Sequence, residues 1–305
     1  MPRTTASLRT DHRFSSPALA RSTIWFLPHP TSHIQSVKLG EVALNSMEMV
    51  DPSWQRWLDL VDLAVTESQH HAWSECVIVD EQRSPDVPLL HDATLRIHGA
   101  RALAFTRRLA DTLGIQALES VDPLALVRVG LERDHRDREM AAGRLAVSTD
   151  TVAVLTQLCA LPLLLNAART LSPEVSRTWQ RGYCPVCGAW PALVEMRGIQ
   201  RERRMRCGCC GSDWLLPVLR CAFCDETDHT KLGVLLSEHE EQRVRVETCS
   251  TCKGYLKTLT TLTTLAFPTL ALRDISTVSF DLAAQDRGYA RPSRPGWQLN
   301  IAITQ

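Results

Sequence analysis

Apolar residues first fall into step at Trp54, Trp57, Leu58, Val61 and Val65, the three-and-four spacing of a single helix face. Asp51 and Pro52 stand just ahead as a cap and first-turn pair, so the pattern predicts a core helix from about residue 52. Residues 97–118 continue the period with Leu103, Leu109 and Leu113 among charged residues. A further helix is predicted from about Pro123 through "VRVGLERDHRDREMAAGRL", and the alternating charges of residues 132–139 read as its solvated face. Ser148, Thr149 and Asp150 are cap residues ahead of "VAVLTQLCALPLLLNAARTL", which Gln157, Pro162, Asn166 and Arg169 interrupt. Its longest apolar run falls well short of about 18 residues, so it predicts a buried helix rather than a membrane span. Pro85 and Pro88 mark a loop between Trp73 and Asp92.

The cysteine region that follows is different. Nine of the eleven cysteines lie in residues 184–252, and eight of them form C-x-x-C pairs: Cys184 and Cys187, Cys207 and Cys210, Cys221 and Cys224, Cys249 and Cys252. Two residues between thiolates allow a tight turn to present both sulfurs to one ion, and two such turns complete a tetrahedral four-sulfur site. Gaps of 19 residues after Cys187 and 24 after Cys224 can each form a hairpin that returns the second turn beside the first, whereas the ten residues between Cys210 and Cys221 read as a connector. Sequential pairing is therefore expected, with Cys184, Cys187, Cys207 and Cys210 as site 1 and Cys221, Cys224, Cys249 and Cys252 as site 2; an interleaved arrangement is the alternative. Gly188 and Gly211 follow the knuckles of site 1, where a positive φ turns amides toward sulfur. Asp225 and Lys253 stand at the equivalent places of site 2, which makes its geometry and metal preference less secure. Cys209 lacks the bite for either ion and reads as a bystander thiol, with an exchangeable ligand or redox-sensitive thiol as the alternative. Cys76 and Cys159 read as small buried hydrophobes.

Composition changes this picture little. A hydrophobic content of 44% over 305 residues supports a substantial core, and Lys plus Arg equals Asp plus Glu at 34 each, so overall charge draws the chain neither to nucleic acid nor to an anionic membrane. The opening residues lack the apolar run of a signal peptide and read as a flexible tail; their Arg-rich, acid-poor character leaves a transit peptide as the alternative. In a reducing cytosol, paired cysteines point to metal or redox work rather than structural disulfides. Adjacent His70 and His71 would point about 100° apart on a helix and cannot chelate one ion together, while His91, His98 and His135 have no partner at ligand spacing. Nucleophile elbow, phosphate-binding glycine loop and HExxH are all missing.

The segment "RGIQRERRMR" sets Arg197, Arg201, Arg203, Arg204 and Arg206 between the ligands of site 1. It reads as a solvated hairpin, then as a surface for an acidic protein partner, and last as a phosphate contact. Few aromatic residues stand nearby to stack on bases, and "SEHEEQ" in the other hairpin would repel a phosphate backbone.

Four segments, "RGYCPVCGAWPA", "RMRCGCCGSDWLLPVLRCAFCD", "VETCSTCKGYLKTL" and "DLAAQDRGYARPS", resemble in order and spacing the signature segments of the FdhE family of formate dehydrogenase accessory proteins. The resemblance covers roughly residues 181–295 and includes Trp214, Tyr255, Leu256 and Lys257; in "TTLTTLAFPTLALRDIS" the chain is less acidic than that family. It implies a cytoplasmic, non-enzymatic maturation factor that contacts the catalytic subunit of formate dehydrogenase and carries two rubredoxin-like modules with iron or zinc. The expected organisation is a tail over residues 1–45, a helical domain over 46–180, four-cysteine modules over 181–215 and 216–258, and a C-terminal segment over 259–305 packed on the body. A zinc-ribbon nucleic-acid binder and a thiol or iron redox protein are the alternative functions.

Overall fold

The computed structural model describes residues 52–74, 76–78, 86–236 and 244–304. The expected tail, the Asp51 cap and the whole of "SEHEEQ" lie outside them. The described chain is a helical domain followed by small β-regions that carry two four-cysteine clusters, in the manner of tandem zinc ribbons.

The helical domain begins with α1 (Pro52–Glu67) and the short strands β1 (Val77–Ile78) and β2 (Thr94–Arg96), followed by α2 (Gly99–Leu113), α3 (Pro123–Glu132), α4 (His135–Leu145) and α5 (Thr149–Leu171). Ser148 caps α5 by accepting from the Thr151 amide at 3.1 Å. Among the described residues, only the stretch Thr149–Glu174 is long and apolar enough to cross a membrane. It is instead the central helix: α1, α2, α3 and α4 all pack on it, and Val152, Leu155, Cys159, Ala160, Leu163 and Ala167 are fully buried.

The single helix expected after Pro123 is two. It breaks at Arg133, whose φ is +56° and whose amide caps the Val129 carbonyl; Asp134 then caps α4, accepting from Arg136 and Asp137 amides at 2.8 and 3.2 Å. Nor are residues 132–139 wholly a solvated face. Arg133 is 8% exposed and points into the protein.

Six strands follow: β3 (Pro191–Arg197), β4 (Glu202–Cys207), β5 (Asp213–Leu215), β6 (Leu232–Leu235), β7 (Val244–Cys249) and β8 (Tyr255–Thr261). They form one sheet in the order β5-β4-β3-β8-β7-β6. Each half is antiparallel, and the halves join through parallel pairing of β3 with β8, from Leu193↔Lys257 to Arg197↔Thr261. The two modules are thus one continuous hydrogen-bonded surface. Helices α6 (Phe267–Ser276) and α7 (Val278–Asp286) return along it, and β9 (Ala302–Thr304) pairs in parallel with β2, tying the C-terminal segment to the helical domain.

Candidate metal centres

Each cluster is built on a hairpin. One C-x-x-C turn precedes the first strand, and the other begins with the last residue of the second strand: Cys207 ends β4 and Cys249 ends β7. All four turns share one local design, in which the amide of the first cysteine donates to the carbonyl five residues on: Cys184 to Ala189, Cys207 to Ser212, Cys221 to Glu226 and Cys249 to Gly254, at 2.7 to 3.0 Å. The residue after each second cysteine is left-handed, with φ of +70° at Gly188, +75° at Gly211, +61° at Asp225 and +58° at Lys253. The geometry that looked insecure in site 2 is therefore adopted without glycine. Glycine is needed in site 1 for a second reason, since a Cβ on Gly188 would lie 2.8 Å from the Trp297 Cβ.

The structure brings Cys184, Cys187, Cys207 and Cys210 together in one group and Cys221, Cys224, Cys249 and Cys252 in another, with all sulfurs of a group within 4.8 Å of one another. Cross-turn separations are 3.5 Å for Cys184–Cys210 and Cys187–Cys207, and 3.7 Å for Cys221–Cys252 and Cys224–Cys249. A disulfide would need about 2.05 Å. A tetrahedron with metal–sulfur bonds of about 2.3 Å has an edge of about 3.8 Å, so both groups fit a single four-sulfur ion. Among the described residues no other His, Cys, Asp or Glu cluster of this kind occurs.

The surroundings of the two groups differ. All four sulfurs of site 1 belong to buried residues, in the same hydrophobic core as Leu163, Val186, Val194, Met205 and Trp214. The first turn of site 1 is gripped from outside the module: Leu89 and Leu90 amides donate to Pro185 and Val186 carbonyls, and the Trp297 amide to the Gly188 carbonyl, at 2.8 to 3.0 Å. The remaining carbonyl, that of Cys187, accepts from Arg133 Nη2 at 2.6 Å. At site 2, Cys221 and Cys249 are buried but Cys224 and Cys252 reach solvent, beside a cleft of about 240 Å³ bordered by the exposed Val218, Leu219 and Val234.

Burial holds the Cys184, Cys207 and Cys210 thiols well above their ordinary range. At Cys187 burial acts the same way, but hydrogen bonds from Cys184, Cys207, Cys209 and Cys210 outweigh it and hold that thiol well below. In site 2, a hydrogen bond from Cys252 and the amides of Phe223 and Cys224 bring Cys221 down to about 5.

Cys209 stays out of both groups. It is 3% exposed, its amide points at Cys207 Sγ at 3.4 Å, and hydrogen bonding to Cys187 together with burial pushes its thiol up to about 11. Its burial keeps oxidants from the sulfur, which weighs against a redox-sensitive thiol. Cys76 and Cys159 are buried, and burial raises them to about 11 and about 12. The rings of His70 and His71 stack at 4.4 Å, and His70 Nδ1 accepts from the Ala72 amide.

The arginine segment is not the solvated hairpin expected. Arg206 is buried against Glu195, Arg197 bridges Glu195 at 2.5 Å and Asp213 at 3.0 Å, and Arg204 pairs with Asp213. Arg203 reaches Glu247 of β7 at 2.7 Å, stitching the two halves of the sheet together. Only Arg201, at the hairpin turn, is left exposed among the five. A second charged cluster gave no sequence signal as a site: on β8, Lys257 Nζ meets Asp274 at 2.7 Å and Asp281 at 2.6 Å, and Tyr255 donates to Asp281 at 2.9 Å. Arg291 closes the ring at 3.2 and 3.0 Å from the same two carboxylates, all of them buried.

Comparison with known proteins agrees with this arrangement. Residues 219–295 match the family model described as FdhE, C-terminal domain. The chain is 29% identical to an FdhE homologue of Aquifex aeolicus over 184 residues, 59% of either chain, and 31% identical to the FdhE protein of Escherichia coli O127:H6 over 116 residues, 37% of either. In these matches it therefore spans about three fifths of the first relative and little more than a third of the second. The crystal structure of the FdhE protein from Pseudomonas aeruginosa superposes with a TM-score of 0.51 at 21% identity, covering 81% of this chain and 89% of that one, which speaks to the fold alone. The signature segments, the family match over residues 219–295 and the two sulfur clusters agree in likening this chain to the FdhE proteins.

Proposed function

We propose that this protein is a cytoplasmic accessory factor for the assembly or activation of formate dehydrogenase, binding the catalytic subunit through a body that carries two four-cysteine metal sites. Cys184, Cys187, Cys207 and Cys210 would hold one ion, and Cys221, Cys224, Cys249 and Cys252 the other. The observation that carries this reading is the fit of both sulfur clusters to a closed tetrahedral site in a chain that resembles the FdhE proteins.

Four protein thiolates leave no coordination position for a substrate, which disfavours Lewis-acid catalysis and supports a non-enzymatic role. Iron bound there would add a one-electron step, and zinc would add none. The chain itself supplies the charge, burial and rigidity around each ion. A nucleic-acid role would rely on the arginine segment, and there the internal pairing of Arg197, Arg203, Arg204 and Arg206 weighs against it.

The test is affinity capture of the tagged full-length chain from a host producing formate dehydrogenase, with metal content measured on the same sample. Recovery of the catalytic subunit with two metal equivalents supports the proposal. Two equivalents without that subunit would transfer weight to the nucleic-acid reading, and free thiols without metal to a dithiol redox role.

A further inference from the structure

Among the described residues of the helical domain, Arg133 is the cation that contacts a ligand of site 1. It sits at the α3–α4 break in a left-handed conformation, φ +56°, which is unfavourable for a non-glycine residue. That conformation aims its side chain out of the helix line and into the first cysteine turn. Nη2 donates to the Cys187 carbonyl at 2.6 Å, and Nη1 lies 3.8 Å from Cys187 Sγ, within reach of a hydrogen bond to sulfur. The residue is 8% exposed, and Nε is buried without a partner. Its neighbour Asp134 is occupied in capping α4, and no carboxylate among the described residues is paired with the guanidinium.

A guanidinium does not surrender its proton in a protein, and a buried charge without an opposite charge is strongly unfavourable. The anions within reach are the cysteine sulfurs. Four thiolates around a divalent ion leave a net charge of two minus, and around a trivalent ion one minus. We propose that Arg133 is the countercharge and outer hydrogen-bond donor of site 1, linking metal occupancy there to the α3–α4 junction of the helical body. Among the described residues no buried arginine is hydrogen-bonded to a cysteine of site 2, and the charged residues next in sequence to its exposed cysteines, Asp225 and Lys253, are themselves exposed. Outer-sphere partners of metal ligands typically change affinity by about 10–100-fold when removed, and here the change should fall on one site only.

The inference rests on the reading that site 1 holds a metal, so the zinc content of the wild-type full chain, stripped of its metal and reconstituted with zinc, is measured first. Fewer than two equivalents overturns both claims. With two present, Arg133→Gln and Arg133→Lys are titrated against a chromophoric zinc chelator, with site 2 as the internal reference. The expected result is about 10–100-fold weaker zinc at site 1 in Arg133→Gln, a smaller loss in Arg133→Lys, and site 2 within about twofold of wild type. Unchanged affinity at site 1, or equal weakening of both sites, overturns the role of Arg133. A measurement on the wild type does not depend on the variants folding. Removal of zinc should raise amide exchange across residues 130–138 while the centre of α5 stays protected, and unchanged exchange at that junction counts against the proposal equally. In an iron-loaded sample, Arg133→Gln should shift site 1 to a more negative reduction potential, because the reduced site carries one more negative charge.

Discussion

Site 1 and site 2 are the same local design in opposite surroundings. Their turns share the cysteine-to-carbonyl bond across five residues and the left-handed residue after the second cysteine. Yet site 1 lies inside the main core, its first turn gripped by Leu89, Leu90, Arg133 and Trp297, while site 2 presents two cysteines to solvent beside an apolar cleft. The comparison separates what a metal knuckle needs for itself from what its position adds. Chelating geometry is local, and glycine is dispensable where space is open, as Asp225 and Lys253 demonstrate. Where the core closes over the turn, Gly188 is required because Trp297 occupies the room a side chain would take. Burial also makes site 1 part of the fold's own stability, whereas site 2 can lose its ion with less cost to the body.

The harshest way to break the comparison is to remove one ligand from each site. Cys184→Ser should lose one metal equivalent and cost about 5 kcal/mol or more, since metal binding at such sites is itself folding free energy; Cys252→Ser should lose one equivalent while the helical body melts close to wild type. Metal analysis with thermal circular dichroism reads both, and equal losses of stability would end the distinction.

Next in size is the cluster that pins α6 and α7 to β8. Lys257→Met leaves Asp274 and Asp281 with only Arg291 as a cation and should cost about 3–5 kcal/mol in urea unfolding. The same cluster carries a pH signature. Burial disfavours charge on Asp274, but the adjacent Lys257 and Arg291 outweigh it and hold the carboxyl below its ordinary value of 3.8. Its contribution is complete above that value and is lost as pH falls below it through the folded-state pKa. Acid unfolding followed below pH 4 should therefore steepen in the wild type and flatten in Asp274→Asn.

Chelator competition gives a smaller effect that sharpens the contrast. Zinc should leave site 2 at least about tenfold faster than site 1, as exposure gives the chelator direct access to Cys224 and Cys252 while the shell around site 1 holds its ligands in place. Biphasic release with the slow phase abolished by Cys184→Ser is the expected record. Smallest of all, Lys253→Gly should stabilise site 2 by up to about 1 kcal/mol by relieving a left-handed lysine. A loss of site 2 metal affinity in that variant would mean that the lysine matters more than the strain.

Much of the site was legible early because the chelating unit is short. Gaps of 19 and 24 residues favour returning hairpins, and loop closure over such lengths varies little in entropy, so adjacent turns combine. The arginines misled for the same reason. Arg197, Arg203, Arg204 and Arg206 look like a basic patch in a linear reading, but strand alternation and the fold of the sheet bring Glu195, Asp213 and Glu247 to them. Arg133 sat in a charged run with the look of a wet helix face, and only the break before Asp134 turns it inward.

Local chemistry was therefore written in the chain: a helical body, eight thiols that gather into two quartets, and the segments that resemble the FdhE proteins. The tertiary structure alone decided which site is sealed, which charges are neutralised, and that β3 and β8 run parallel to fuse two modules into one sheet. The physical reason is range. A chelating turn is set by residues a few positions apart, whereas burial and charge pairing depend on partners that folding brings from tens of residues away, such as Cys187 to Arg133 and Lys257 to Asp281.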